Sequence, residues 1–222
     1  MIYLYIFLGL LGILVILLLV ALYHSHQIKD KEEVVTPEIT DLKKADVLAK
    51  EFSQMIKVET LSYEKELGNT EKFDELHQVM KKLFPKTFEK LTVIEFDGGS
   101  LLLEWKGKSS EKPMVLMAHQ DVVPAEKEDW QFEPFSGKVT EDEVYGRGTL
   151  DTKSTLYSFF KATEELINEG FVPEHDLYLS TSTDEEISGI GAELAVDYMK
   201  KNHIKPYIIL DEGGAIVSGA LP

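Results

Sequence analysis

A histidine and a carboxylate two residues apart are the first side chains in this sequence with the types and spacing for chemistry. His119 and Asp121 lie in residues 117–124, at the end of a short apolar run that predicts a strand. Residues two apart on a strand face the same side. A metal-binding histidine commonly has a carboxylate on its other ring nitrogen. The pair therefore suits a metal ligand and its orienting carboxylate, although a lone histidine near a strand end is more often a structural or surface residue.

A second cluster, residues 145–153, places Asp151 just before a predicted helix. Two glycines in this cluster flank Arg147, the only arginine in the chain. Asp151 suits a metal ligand on a glycine-rich loop, and the alternative is an N-cap for the helix that follows. For Arg147 we expect a structural salt bridge that holds the loop.

A third cluster, residues 182–189, follows another predicted strand and contains three consecutive carboxylates. Such groups usually belong to a solvated loop, and they repel one another unless a cation neutralises them. At the end of a buried strand, a cation is the reading that we favour. Adjacent residues such as Glu185 and Glu186 can then divide the roles of general base and metal ligand.

The fourth cluster is the pair Asp211 and Glu212, which a predicted buried strand delivers to a glycine turn. In isolation, a strand followed by a turn with an exposed acidic pair is the better explanation of this cluster. Together, however, four strand ends present imidazole or carboxylate ligands, and zinc binds both. The chain contains no cysteine, which excludes thiolate ligands, disulfides and a cysteine nucleophile. Two divalent metals about 3.5–4 Å apart, bridged by one carboxylate, would use this set of ligands.

The elements that position these clusters alternate between strand and helix patterns. The apolar spacing predicts helices over 42–56, 70–83 (stopped by Pro85), 154–168 and 192–201, and strands over 91–96, 101–105, 114–118, 177–181 and 207–210. This order predicts an α/β fold with a three-layer mixed sheet and helices on both faces. Functional sites of such sheets form at the carboxyl ends of strands, which is where the four clusters lie.

The N-terminal segment differs from the rest of the chain. Residues 2–22 carry no charge, and such a run reaches about 30 Å as a helix, the thickness of a bilayer core. We therefore expect a single-pass anchor at 1–23, a polar linker at 24–37 and a globular part at 38–222. A cleaved signal peptide is the alternative, but its basic n-region is missing. Lys29 and Lys31 weakly favour a cytoplasmic domain, and export as a signal anchor stays open.

Composition narrows the range of partners. The chain has 222 residues, enough for one domain or slightly more, and a net charge of −16. This acidic balance argues against nucleic acid as a partner and is compatible with metal cations.

The four clusters, in this order, resemble the co-catalytic zinc exopeptidase and aminoacylase family. The carboxypeptidase S and N-fatty-acyl amino-acid hydrolase branch is the most similar, because of Trp130 and of residues 134–137, 146–153 and 210–214. The resemblance extends from Leu42 to the end of the chain. It implies that residues 38–222 are the N-terminal part of a zinc exopeptidase catalytic domain.

The resemblance also implies roles for individual residues. It implies two zinc ions per site, for which cobalt or manganese could substitute. The implied metal ligands are His119, Asp151 (bridging both ions), Glu186 and Asp211, with Glu212 as the alternative to Asp211. The implied catalytic residues are Asp121, which orients His119, and Glu185, the general base.

The implied reaction is hydrolysis of the amide bond in N-acyl amino acids or short peptides. Family members are about twice as long, with a later histidine ligand and a lid domain that dimerises, so a homodimer is expected only where that lid is present. His175 and His203 are expected to be surface residues rather than substitutes for the later ligand. The chain is thus expected to be a fragment with an exposed sheet edge. A membrane-tethered remnant that binds metal or a partner without hydrolysis is the alternative.

Overall fold

The computed structural model describes residues 1–27, 41–66 and 70–212, and the chain divides into two units, Met1–Asp41 and Leu42–Pro222. In the first unit, helix α1 covers Ile2–Gln27. Its segment Ile2–Ser25 is long and apolar enough to cross a membrane, as an anchor or as a signal sequence. The helix includes residues 24–27 of the predicted linker, and the remainder of that linker lies outside the described residues.

The second unit is built around a five-stranded mixed sheet. Its helices are α2 Leu42–Ile56, α3 Ser62–Glu66, α4 Glu71–Leu83, α5 Pro85–Lys90, α6 Lys153–Asn168 and α7 Gly191–Lys201. Its strands are β1 Thr92–Glu95, β2 Leu101–Trp105, β3 Ser109–His119, β4 Lys138–Val139, β5 Val144–Tyr145, β6 His175–Ser182 and β7 Ile208–Leu210. The strand order is β1-β2-β6-β3-β7, and β4 and β5 form a separate hairpin. The pairs β1/β2 and β2/β6 are antiparallel, whereas β6/β3 and β3/β7 are parallel.

The two faces of the sheet carry separate apolar cores. Alternate residues of β2 point to opposite faces, because side chains on a strand repeat every two residues. Leu101 and Leu103 pack into the larger core, which includes residues of α2, α4, α5 and α6. Leu102 packs on the other face with Met199 of α7. The predicted mixed sheet with helices on both faces is therefore confirmed, and α2 has its predicted bounds.

Several local features differ from the prediction. Pro85 does not simply stop a helix; it is the first residue of α5, where its missing N–H would have had no intrahelical partner. The predicted strand at 207–210 was expected to be buried, but Ile208, Ile209 and Leu210 are 49%, 58% and 51% exposed. Among the described residues, β7 pairs with β3 alone, so it is an edge strand.

Candidate metal centre

His119 is the buried centre of the site. It is the last residue of β3, pairs with Ser182 at the end of parallel strand β6, and is 1% exposed. Its Nδ1 lies 2.9 Å from the backbone oxygen of Asp121 and 3.3 Å from Oδ1 of the same residue. Both neighbours are acceptors, so Nδ1 is the donor nitrogen. The other ring nitrogen, Nε2, faces the carboxylates of Asp151, Glu185 and Glu212.

Asp121 holds two parts of the site together. Its carboxylate is completely buried, and it accepts the backbone N–H groups of Glu185 at 3.2 Å and Glu186 at 3.1 Å. Burial opposes ionisation, but the hydrogen bond and charge of His119 outweigh it, so the pKa of Asp121 is lowered. An ionised Asp121 can thus orient His119 and fix the short helical turn at 185–187 at once. The distances show that the backbone oxygen is closer to Nδ1 than the carboxylate is.

Three carboxylates from distant parts of the chain surround His119 Nε2. Asp151 Oδ1 is 3.0 Å away, Glu212 Oε1 3.6 Å and Glu185 Oε2 3.7 Å. One atom each of His119, Asp151 and Glu212 lies within 4.8 Å of the other two. Tetrahedral zinc with ligands at about 2.0–2.1 Å separates ligand atoms by about 3.3 Å. The donor types and spacing therefore fit a divalent metal ion.

The remaining predicted ligands are placed differently. Asp211 is exposed, its Oδ1 accepts the N–H of Glu212, and it does not join the group around His119. Of the two residues, the geometry favours Glu212. Glu186 is also outside that group, and partial burial and repulsion by Asp151 raise its pKa. Its assignment as a ligand of a second ion stays a prediction, as does that of Asp211.

Asp184, the first of the three consecutive carboxylates at 184–186, binds the backbone of α7. Asp184 is 6% exposed, and its Oδ1 accepts the N–H of Gly191 at 2.9 Å, at the start of α7. Asp184 therefore needs no cation to explain its place beside the other two carboxylates, because it accepts a hydrogen bond from the N-terminus of α7.

The site is strongly acidic apart from its one imidazole. Burial opposes protonation of His119, but Asp121, Glu212 and Asp151 outweigh it and raise its pKa to about 9. Partial burial raises the pKa of Glu185; repulsion by other carboxylates adds to this effect and His119 opposes it. A raised pKa suits a general base that must accept a proton near neutral pH.

Asp151 reaches the site from the loop between β5 and α6. It is not an N-cap, since α6 begins at Lys153 and Thr152 holds the cap position. Its side chain is 71% exposed, and the peptide bond that follows it is cis. Gly148, with a φ of 88°, allows the loop to turn close to Val122, a residue near the end of β3.

Arg147 does not make the salt bridge that we predicted. No ion pair to it occurs in the part of the chain that the structure describes. Its guanidinium lies over the ring of Trp130, 5.2 Å from the centroid, and Nη2 is 3.5 Å from the Pro124 carbonyl. The loop is instead held by this cation–π contact and by the Arg147 N–H, which donates to Pro134 O at 2.8 Å.

Sequence reasoning missed two buried polar residues that support the site. Gln120, between His119 and Asp121, is completely buried, and its side chain bonds to Thr181 and His77. Lys153 is also completely buried. Both lie inside the motifs that we singled out, but nothing in a single sequence indicates that a polar side chain in such a motif is buried.

Comparison with known proteins identifies relatives of this unit. Residues 115–220 match the profile of "Peptidase family M20/M25/M40". The chain is 34% identical over 196 residues to N-fatty-acyl-amino acid synthase/hydrolase PM20D1 of Xenopus tropicalis, covering 86% of this chain and 38% of that protein. It is 38% identical over 154 residues to carboxypeptidase S of Saccharomyces cerevisiae, covering 65% of this chain and 27% of that protein. The chain thus spans well under half the length of these curated relatives.

Solved structures support the fold. An M20 family metallo-carboxypeptidase, Sso-CP2 from Sulfolobus solfataricus, superposes with a TM-score of 0.60 at 24% identity. The match covers 78% of this chain and 38% of that one. At this level of identity the likeness establishes the architecture, and the chemistry has to be argued from the side chains.

Proposed function

The chain belongs, through residues 115–220, to peptidase family M20/M25/M40, and from this premise we propose that its site binds divalent metal for amide hydrolysis. The observation that carries the proposal is the meeting of His119, Asp151, Glu185 and Glu212 at one strand end. These residues come from four separate segments, and the nearest oxygens of the three carboxylates lie 3.0–3.7 Å from His119 Nε2. Three independent segments converging on one buried imidazole argue for a built ligand set rather than for a solvated acidic surface.

The metal is proposed to be zinc, two ions per site, because imidazole and carboxylate are ligands that zinc accepts. His119, Asp151 and Glu212 would hold one ion. Asp151 and Glu186 would contribute to a second. When bound, the metal would acidify a water molecule and polarise the scissile carbonyl.

The other residues have separate tasks in this proposal. Glu185 takes a proton from the attacking water and returns it to the leaving amine, since its carboxylate lies beside the ligand set without being part of it. Asp121 keeps His119 Nδ1 protonated, so that the lone pair of Nε2 faces the metal. It also fixes the backbone that carries Glu185.

The substrate class that we propose is an N-acyl amino acid or a short peptide. The support is the pair of relatives named above, one a fatty-acyl-amino acid hydrolase and the other a carboxypeptidase. We also propose that α1 anchors the protein in a membrane, for which its length and apolar composition speak. By the positive-inside rule, Lys29 and Lys31 favour a globular part on the cytoplasmic side of that membrane.

The test uses the full chain in detergent micelles. Calorimetric titration with Zn²⁺ measures metal binding, and release of free amine from a long-chain N-acyl amino acid and a dipeptide measures hydrolysis. Glu185→Gln should leave zinc affinity nearly unchanged and lower the hydrolytic rate about 10²–10⁴-fold. Glu193→Gln, an exposed carboxylate on α7, is the matched control and should retain the wild-type rate.

Three outcomes separate the alternatives. Zinc binding with hydrolysis that depends on Glu185 supports the proposal. Zinc binding without hydrolysis of either substrate would instead favour the second candidate, a membrane-tethered module that binds metal without catalysis, for which the ligand set of His119, Asp151 and Glu212 is enough. No zinc binding would overturn both.

A further inference from the structure

Lys153 carries a buried amine that the proposed chemistry does not use. It is the first residue of α6, two residues after Asp151, and its side chain is completely buried. Its Nζ donates to the backbone oxygens of Val58 at 2.7 Å and Met55 at 3.2 Å. None of the described carboxylates forms an ion pair with it. Burying an ammonium group is costly unless its hydrogen bonds are satisfied, so its partners here are informative.

Those partners connect Lys153 to the strand that carries His119. The Met55 carbonyl lies at the end of α2, and Val58 begins the segment that runs on to Leu61. Thr60 in this segment donates its hydroxyl to Gln120 O at 2.6 Å, and Thr60 O accepts the N–H of Val122 at 2.9 Å. The segment is therefore bonded on both sides of Asp121, directly after His119.

Lys153 also closes the loop that carries Asp151. Its backbone N–H donates to Gly148 O at 2.9 Å. Its side-chain carbons lie 3.4–3.5 Å from the position that a Cβ on Gly148 would occupy. The loop from 148 to 153 is thus fixed at both ends by one residue, with Asp151 between them.

From these contacts we propose that Lys153 is a positioning residue of the metal centre: by joining the Asp151 loop to the segment at 55–61, it sets the separation of Asp151 and His119. The inference rests on the proposed metal site. A lysine that served only to fill the core would contribute to folding and leave the geometry of the ligands unaffected. Metal affinity therefore distinguishes the two roles. Thermal stability does not, because in either role the buried carbonyls of Val58 and Met55 lose their donor, which is destabilising.

The first test compares Lys153→Met with wild type in the full chain. Met keeps much of the side-chain volume and removes the donors to Val58 and Met55. We expect Zn²⁺ affinity, measured by titration calorimetry, to fall about 10–100-fold, the range seen when residues that orient metal ligands are removed. The absorption spectrum of bound Co²⁺ should also change, because it reports ligand geometry. Lys161→Met is the matched control: Lys161 is on the same helix, 21% exposed, and paired with Glu51 at 2.9 Å, and its loss should leave both readouts unchanged.

A chemical rescue makes the test specific for the amine. The chain has no cysteine, so Lys153→Cys can be alkylated with 2-bromoethylamine at that one position while unfolded, then refolded. The product differs from lysine by a sulfur in place of one methylene. We expect it to recover Zn²⁺ affinity to within a few-fold of wild type carried through the same refolding, whereas the unmodified cysteine variant stays weak.

The outcomes are distinguishable from those of the proposed function. If wild type binds Zn²⁺ and Lys153→Met binds it equally well with an unchanged Co²⁺ spectrum, the positioning role is wrong while the metal site stands. If wild type binds no Zn²⁺, both fail. Should Lys153→Met not fold, the unmodified Lys153→Cys variant replaces it, since it also removes the donors to Val58 and Met55; wild-type affinity in either folded variant would overturn the inference.

Discussion

His77 and His119 are both buried, yet their surroundings shift their pKa values in opposite directions. For His77, burial dominates and lowers the pKa, although its Nε2 is 2.8 Å from Gln120 Oε1. The Gln120 amide nitrogen donates to Thr181, so its oxygen must accept from His77. His77 is therefore neutral with a defined tautomer. At His119, burial is outweighed by neighbouring carboxylates and the pKa rises to about 9.

The pKa of His77 leads to a prediction for stability in acid. Because its pKa is lower in the folded than in the unfolded state, the unfolded state binds more protons below pH about 6.5. The free energy of unfolding should therefore fall as the pH decreases through that value. In His77→Gln this part of the pH dependence should be lost. Urea unfolding of the metal-free chain from pH 5 to 8, followed by fluorescence of buried Trp105, measures the effect.

His175→Gln is the control for this prediction, because His175 is exposed at the start of β6. The free energy of unfolding of His175→Gln should fall in acid as much as that of wild type does. An equal slope between pH 5 and 7 in wild type and His77→Gln would show that His77 does not contribute.

At the scale of single residues, the grouping of several ligand-type side chains could be predicted, but the residues that support them could not. His119, Asp151 and Glu185 follow from strand ends that carry ligand types in order, and the structure brings all three together. Lys153 and Gln120 are polar residues that a sequence would place at the surface. Only tertiary packing shows that they are buried, since the partners named above lie 43–98 positions away along the chain.

Among the elements, the loop between β5 and α6 is constrained sterically close to the site. Gly148 adopts a φ of 88°, and a Cβ there would lie 2.8 Å from Val122 Cγ1. Gly170, after α6, has a similar φ of 76° but nothing within 4 Å of its Cβ position. Replacing either glycine by a residue with a side chain would strain the backbone at positive φ. Only at Gly148 would the new Cβ also clash with a neighbour, Val122.

We predict that Gly148→Ala is the more harmful of the two substitutions. Strain at positive φ should cost both variants about 1–3 kcal/mol of unfolding free energy. Contact with Val122 should add about 1–3 kcal/mol in Gly148→Ala alone. Zn²⁺ affinity should fall in that variant, because the loop carries Asp151, and be retained in Gly170→Ala. Urea unfolding and zinc titration of both variants check this, and equal losses would show that the Val122 contact is unimportant.

The elements themselves were predictable where periodicity is long enough to detect. The helices at 42–56 and 154–168 and the central strands have strong apolar patterns, and the structure confirms them to within a few residues. The strands β4 and β5 have two residues each, too few to show a period. The burial of β7 was predicted wrongly because an apolar run indicates a strand but not which neighbours cover it.

Two features of the molecule, an exposed strand and the net charge, act in opposite directions on self-association. Among the described strands, β7 is an exposed apolar edge strand, which favours pairing with another chain. The net charge of −16 produces repulsion between copies, which opposes such pairing. Repulsion of this kind is screened by salt, whereas edge pairing is not. Self-association should therefore increase with ionic strength.

A lysine placed on this edge should suppress the association. Ile209, 58% exposed, is the most exposed of the three β7 residues, and Ile209→Lys would set an ammonium group on the pairing edge. We expect the association constant to fall roughly tenfold, equivalent to about 1.4 kcal/mol. Val47→Lys adds the same charge at a 51% exposed position on α2 and controls for net charge. Sedimentation velocity of the full chain in micelles at low and high salt measures both variants. Each lysine lowers the net negative charge, so charge alone should strengthen association slightly in both variants. A decrease confined to Ile209→Lys would locate the contact at β7, whereas a decrease of similar size in Val47→Lys would contradict that location.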